Sequence, residues 1–197
     1  MKLTEYYNII RNKVMIKKVQ GKVYLSDISL ISMNCIGGTF YHDMNCKFLT
    51  PTVNLFFTAS DFIKFVNDLD YYLSFTPVVE MGEKYPIGTL DDIKIFFMHY
   101  DSCEDALQKW EDRKKRVNPK KIFVIMVEQN GFSKEDFENF KKIKYPKILF
   151  ANKKEYKCGD SVYFSKYENE DYLPDIIQGR YYYKGNRLIN AVRKAFE

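Results

Sequence analysis

Residue types able to do acid–base or nucleophilic chemistry crowd into one stretch, "LISMNCIGGTFYHD", Leu30 to Asp43. It holds Ser32, Asn34, Cys35, the pair Gly37-Gly38, Tyr41, His42 and Asp43. A thiol attacks an electrophile once a neighbouring base lowers its pKa. The chain has 2 histidines, His42 and His99, so the bases open to Cys35 are few. Cys35 with His99 keeps the order nucleophile then base, with Asp101 placed to orient the imidazole. The plainer reading of Cys35 is a small buried hydrophobe. The glycine pair would let backbone approach a ligand or present N–H groups to an anion, and it suits a plain turn equally well. Further on, "RKKRVNPKK", residues 113–121, could grip phosphates or an anionic membrane surface. A basic helix end that meets its own carbonyls reads the same way.

Several signatures are absent. No GxGxxG or GxxxxGK[ST] occurs, which argues against a standard dinucleotide or P-loop site. "DLD", Asp68 to Asp70, has the form of a metal-binding DxD, yet it falls inside an expected helix where i and i+2 face different ways. The four cysteines, Cys35, Cys46, Cys103 and Cys158, form neither CxxC nor zinc spacing. No metal site is expected, no cofactor is assigned, and the thiols suit a reducing compartment. Aromatic residues do not interleave with the basic run, so nucleic acid is not an expected partner.

The elements that must position these residues follow from periodicity. Apolar positions from Leu3 to Ile16 predict a helix over 2–18. Strands are expected at 22–33, 51–57, 92–100, 121–128 and 147–152. Helices are expected from Ser60 to about Leu73, after the Ser102 cap, after Ser133, and over 186–196. From residue 91 to 152 the order is strand, helix, strand, helix, strand. That alternation predicts an α/β fold with a mainly parallel central sheet flanked by helices. In such sheets ligands bind beyond the carboxyl ends of the strands. The strands expected there end in Ser32 and Asn34, in His99, Tyr100 and Asp101, in Glu128 and Gln129, and in Asn152. One polar rim is therefore expected.

The 197 residues suit one domain, with a regular part over about 22–155 and a less regular extension over 156–197. A hydrophobic fraction of 46% against 29% charged is globular composition. A net charge of +5 permits an anionic ligand without demanding one. No apolar run approaches the roughly 20 residues of a membrane span, and the amino-terminal stretch is too charged for a signal peptide. The chain reads as cytoplasmic, with peripheral membrane contact left open.

Three ordered blocks carry a resemblance: "LISMNCIGGTFYHD", "TPTVNLFFTASDFIKFVNDLDYYL", and "YPIGTLDDIKIFFMHYDSCEDALQKWEDRKKRVN" with "IFVIMVEQNGFSKEDFENF". They resemble a bacterial family of unknown function often labelled exopolysaccharide or capsule biosynthesis protein. The family pattern is Ser-Asn-Asn-Cys-Trp-Gly-Gly at the first block; Met33 and Ile36 depart from it. Ser32, Asn34, Cys35, Gly37, Gly38, Asn54, Asp61, Pro86, Gly88, His99, Tyr100, Trp110, Arg113, Arg116 and Asn118 match. The resemblance implies a cytoplasmic step on a sugar-containing precursor. The leading expectation is a small transferase using a sugar nucleotide or acyl donor. Ser32, Asn34, Gly37 and Gly38 would hold the donor, and His99 would be the base, oriented by Asp101. Trp110 would line the sugar site, and Arg113 and Arg116 would meet a phosphate. His42, Asn54 and Tyr100 complete the expected substrate-binding set. A Cys35-dependent hydrolase or acyltransferase and a non-catalytic glycan-binding accessory are the alternatives.

Overall fold

The computed structural model describes residues 25–196, with Lys13 and Lys17 ahead of them. The helix expected over 2–18 and the first residues of the strand expected at 22–33 lie outside these. Four strands form a wholly parallel sheet: β1 (Ser29–Ser32), β5 (Ile122–Val127), β6 (Lys147–Ala151) and β7 (Ser161–Tyr163), in the order β1-β5-β6-β7. The fold is α/β, as the alternation predicts. All six residues of β5 are buried, which its unbroken run Ile-Phe-Val-Ile-Met-Val requires of a strand covered on both faces. The pleat divides them. Ile122, Val124 and Met126 join Phe62, Phe65, Trp110 and Phe140 in one core, while Phe123, Ile125 and Val127 join Phe40, Tyr182, Leu188 and Val192 in the other.

The first of these faces is covered by α2 (Ala59–Asn67), α3 (Leu69–Ser74), α4 (Cys103–Lys114) and α5 (Lys134–Lys142). Local sequence fixes their starts. Thr58, Ser102 and Ser133 each accept the N–H three residues on, and Asp136 returns the bond to Ser133 in a full capping box. The opposite face is covered by α1 (Ile36–Asp43) and α6 (Arg187–Phe196).

Four expectations are corrected. Gly37-Gly38 lies within helix α1, not in a plain turn. The run at 51–57 is not a strand: Pro51 and a left-handed Asn54 (φ 63°) interrupt it, leaving a single bridge from Phe56 to Phe96. The helix after Ser60 breaks into α2 and α3 at Asp68, whose φ and ψ of −133° and 54° are not helical. Finally, the run at 92–100 is not a strand of the parallel sheet. Its strand, β4 (Ile93–Phe96), pairs with β3 (Pro86–Leu90), which pairs with β2 (Val78–Met81), all antiparallel in a separate sheet. The two residues Asp91-Asp92 close the β3–β4 hairpin, with Asp91 taking the positive φ (56°) that such a tight turn needs.

Candidate functional site

Most of the polar residues in the Leu30–Asp43 stretch hold the fold together. Ser32 Oγ accepts the N–H of Gly37 at 3.2 Å and Asn34 Oδ1 that of Ile36 at 3.1 Å, so two orphan donors of α1 are met by β1's own end. The glycines are needed for closeness: a Cβ on Gly37 would stand 2.8 Å from Ser32 Cβ, and one on Gly38 3.1 Å from Val53 Cγ1. The space a ligand would use is filled by protein. Among the described residues edge strand β1 has no strand on its outer side, and side chains take that place. Ser32 N donates to Thr52 Oγ1 (3.0 Å), Leu30 N donates to the Tyr41 hydroxyl (3.0 Å), and that hydroxyl donates to Ile28 O. Asp43, 2% exposed, accepts Arg180 Nε (2.8 Å) and Nη2 (3.2 Å), Tyr182 OH (3.0 Å) and Tyr183 OH (2.9 Å). His42 projects outward, with its side chain 76% exposed.

The rim forms only in part. Asn34 Nδ2 donates to Gln129 Oε1 at 3.1 Å, joining β1 to β5, and Glu128 Oε2 accepts the N–H groups of Asn152 (2.7 Å) and Lys153 (3.1 Å), joining β5 to β6. The crevice above is closed by the segment 167–173: Gln129 Nε2 donates to Leu173 O, and Asn152 Nδ2 to Tyr167 O and Glu170 O. Burial holds the Glu128 carboxyl above the ordinary range, against its two backbone bonds. Because β4 belongs to the other sheet, His99, Tyr100 and Asp101 do not extend this rim.

Those three residues meet a different neighbourhood, the outer flank of β1. The His99 N–H donates to Asn54 O (3.3 Å), and His99, Asn54 and Asp101 are all exposed. Tyr100 is buried beneath them; its hydroxyl donates to Val53 O (2.7 Å) and accepts from Arg113 Nη1 (2.6 Å). The Arg113 guanidinium also lies 5.5 Å from the centre of the Phe48 ring. Among the described residues no carboxylate forms an ion pair with Arg113 or Arg116. Arg113 is thus fixed in direction by a neutral phenol and an aromatic face, with its charge unspent. Asn118, by contrast, bonds Asp27 O and Ser29 Oγ, tying the basic turn to the start of β1.

Cys35 borders this flank, with Sγ 3.9 Å from Leu55 O. Burial, and then the charge of Asp175, push its thiol up to about 11, and the Leu55 and Asn54 backbone only partly offset them. At neutral pH it is a thiol. Trp110 cannot line an open site: it is 1% exposed, packed between Phe65 and Phe97, and its Nε1 has no hydrogen-bond partner among the described residues. Phe48, Thr52, the bond of Tyr41 to β1 and the Asp43–Arg180 pair were missed in the sequence, since no motif or spacing links such distant positions.

Among the described residues no His/Cys/Asp/Glu group of three or more gathers as metal ligands, and no helix is long and apolar enough to cross a membrane.

The fold and this flank define a class: a small α/β protein with a four-stranded parallel sheet, a separate antiparallel sheet, and an arginine-centred polar patch at one edge. The chain belongs to the family described as Domain of unknown function (DUF1919), whose pattern matches residues 6–195. It is 30% identical over 175 residues to an uncharacterised protein of Haemophilus influenzae, covering 85% of this chain and 84% of that protein.

Proposed function

We propose that this protein is a small transferase of bacterial surface-polysaccharide assembly, acting on a phosphate-bearing sugar intermediate at the flank formed by Asn54, His99, Tyr100 and Arg113. The observation that carries the reading is Arg113, oriented by Tyr100 and Phe48 and lacking a carboxylate partner among the described residues. A guanidinium so placed suits phosphate oxygens, which it can grip in bidentate fashion. Arg116, one turn on, adds charge. In the transfer, the acceptor hydroxyl oxygen bonds to the transferred group, the bond from that group to the donor phosphate breaks, and the hydroxyl proton passes to the His99 imidazole. The charge left on the departing phosphate is met by Arg113.

Titration calorimetry with a panel of sugar nucleotides tests this. Binding is expected for one sugar nucleotide, weakened about tenfold to a hundredfold in Arg113→Ala, as loss of a charged hydrogen bond implies. His99→Ala should keep that binding and lose transfer to an acceptor. Binding by Arg113→Ala equal to that of the native chain would sink the assignment.

A non-catalytic glycan-binding accessory is the second reading, favoured by a separate observation: the rim residues Asn34, Glu128, Gln129 and Asn152 spend their bonds on the fold. It predicts binding without turnover and no effect of His99→Ala. The Cys35-nucleophile reading is weakened by the raised thiol pKa.

A further inference from the structure

β7 is the other edge of the parallel sheet, and a groove runs along it between the strand and the segment containing α6. It has two chambers. One, of about 460 Å³, lies at the amino ends of β6 and β7, floored by Phe123, Ile148 and Val162 and walled by Ala191 and Ala195. The other, of about 330 Å³, is lined by the rings of Tyr163, Tyr167 and Tyr181. Both volumes fall within the roughly 300–1,000 Å³ of small-molecule sites. Val162 and Arg187 line both chambers, so the arginine stands at the junction between an apolar space and an aromatic one.

The charge around this groove is mostly positive, although the Glu168 carboxylate accepts the Tyr163 hydroxyl beside the aromatic chamber. Lys194 stands beside the apolar chamber and Lys166 in the aromatic one, where its ammonium lies 5.0 Å from the Tyr167 ring centre and 5.9 Å from that of Tyr181. Asp160 is the one carboxylate in either lining, and it stands 3.7 Å from Lys147. Neither Arg187 nor Lys194 has an ion-pair partner among the described residues. Arg187 does not serve its own helix either, since a cation at the first position of α6 opposes the helix dipole. Its stem runs over Gly185, whose absent Cβ would stand 3.7 Å from Arg187 Cγ, and whose φ of 67° favours glycine.

We infer that this groove binds an amphipathic phosphate: a hydrocarbon chain in the apolar chamber, the phosphate at Arg187, and a polar headgroup against the tyrosines. Apolar space, unspent cation and hydrogen-bonding aromatic faces follow one another in that order, as the parts of such a molecule do. The site is at the opposite edge of the sheet from Arg113 and does not depend on the transferase reading.

Calorimetry on the full chain with farnesyl phosphate, below its micelle concentration, is the test, with farnesol and inorganic phosphate as separate arms. One-to-one binding of farnesyl phosphate is expected, at least tenfold tighter than that of either partial ligand. Each methylene removed in an alkyl phosphate series should weaken binding about fourfold, the equivalent of about 0.8 kcal/mol. Arg187→Ala, at an exposed position, should cost tenfold or more, and Ala191→Trp, which fills the apolar chamber, should cost as much. Arg113→Ala should bind farnesyl phosphate unchanged. Inorganic phosphate binding as tightly would reduce the site to a free-phosphate site and overturn the inference. So would no binding of farnesyl phosphate, or affinity indifferent to both Arg187→Ala and Ala191→Trp with both variants folded by circular dichroism.

Discussion

At the scale of single residues, chemistry that looks alike in the sequence separates by environment. Cys35 and His99 are both reactive types, but one is half-buried with a raised pKa and the other is exposed. Carbamidomethylation of Cys35, followed by peptide mass spectrometry, should therefore climb about tenfold per pH unit and level only near pH 11, because only the thiolate reacts. A plateau below pH 8 would reveal an activating base. The same shift has a sign for stability. The unfolded thiol titrates near 9 and the folded one near 11, so the stabilisation from the neutral buried thiol is whole below pH 9 and is lost as pH rises through 11. Residue types name the candidates, yet burial and the charge of residues such as Asp175 far along the chain decide their state.

At the scale of elements, the strongest local signals were legible. The helix start at Ser133 and the apolar run of β5 can be read from a few neighbouring residues, and both elements form where expected. What escaped reading depends on contacts at a distance. Two glycines argue against helix by propensity, but α1 needs them because β1 and Val53 approach so closely. Gly37→Ala should consequently lower stability by about 1–3 kcal/mol despite the better helix former, because Ser32 Cβ cannot retreat. Gly159→Ala, where a Cβ would meet nothing within 4 Å, should change stability little. Urea denaturation of the two variants checks the contrast, and equal midpoints would show that α1 has room to shift. The β3–β4 hairpin was missed for a simpler reason: its turn, Asp91-Asp92, lies inside one continuous β-rich run, and the eye joins what the turn divides. β7, three residues long, is too short for periodicity to register.

At the scale of the whole molecule, the organisation depends on one long-range anchor. Asp43 at the end of α1 is held by Arg180, Tyr182 and Tyr183, so the irregular carboxyl-terminal segment is fastened to the face of the sheet that α1 and α6 cover. Asp43→Ala would leave Arg180 and two phenols without their acceptor, and should cost about 3–5 kcal/mol, as breaking a buried pair does. A thermal midpoint unchanged by that substitution would mean that the segment is held by its apolar contacts alone. The quoted blocks end at Phe140 while the family match runs to residue 195, and the anchor fits that longer span: β7, the cover over the rim and α6 all lie beyond the blocks. The anchor also sets an order of events in the cell. Asp43 and Arg180 are 137 residues apart, and at about 5–20 residues per second the ribosome needs on the order of ten seconds to supply the second after the first. Throughout that interval the nascent chain carries a carboxylate destined for burial without its counter-ion. Compaction that buries Asp43 before Arg180 has been made is therefore penalised.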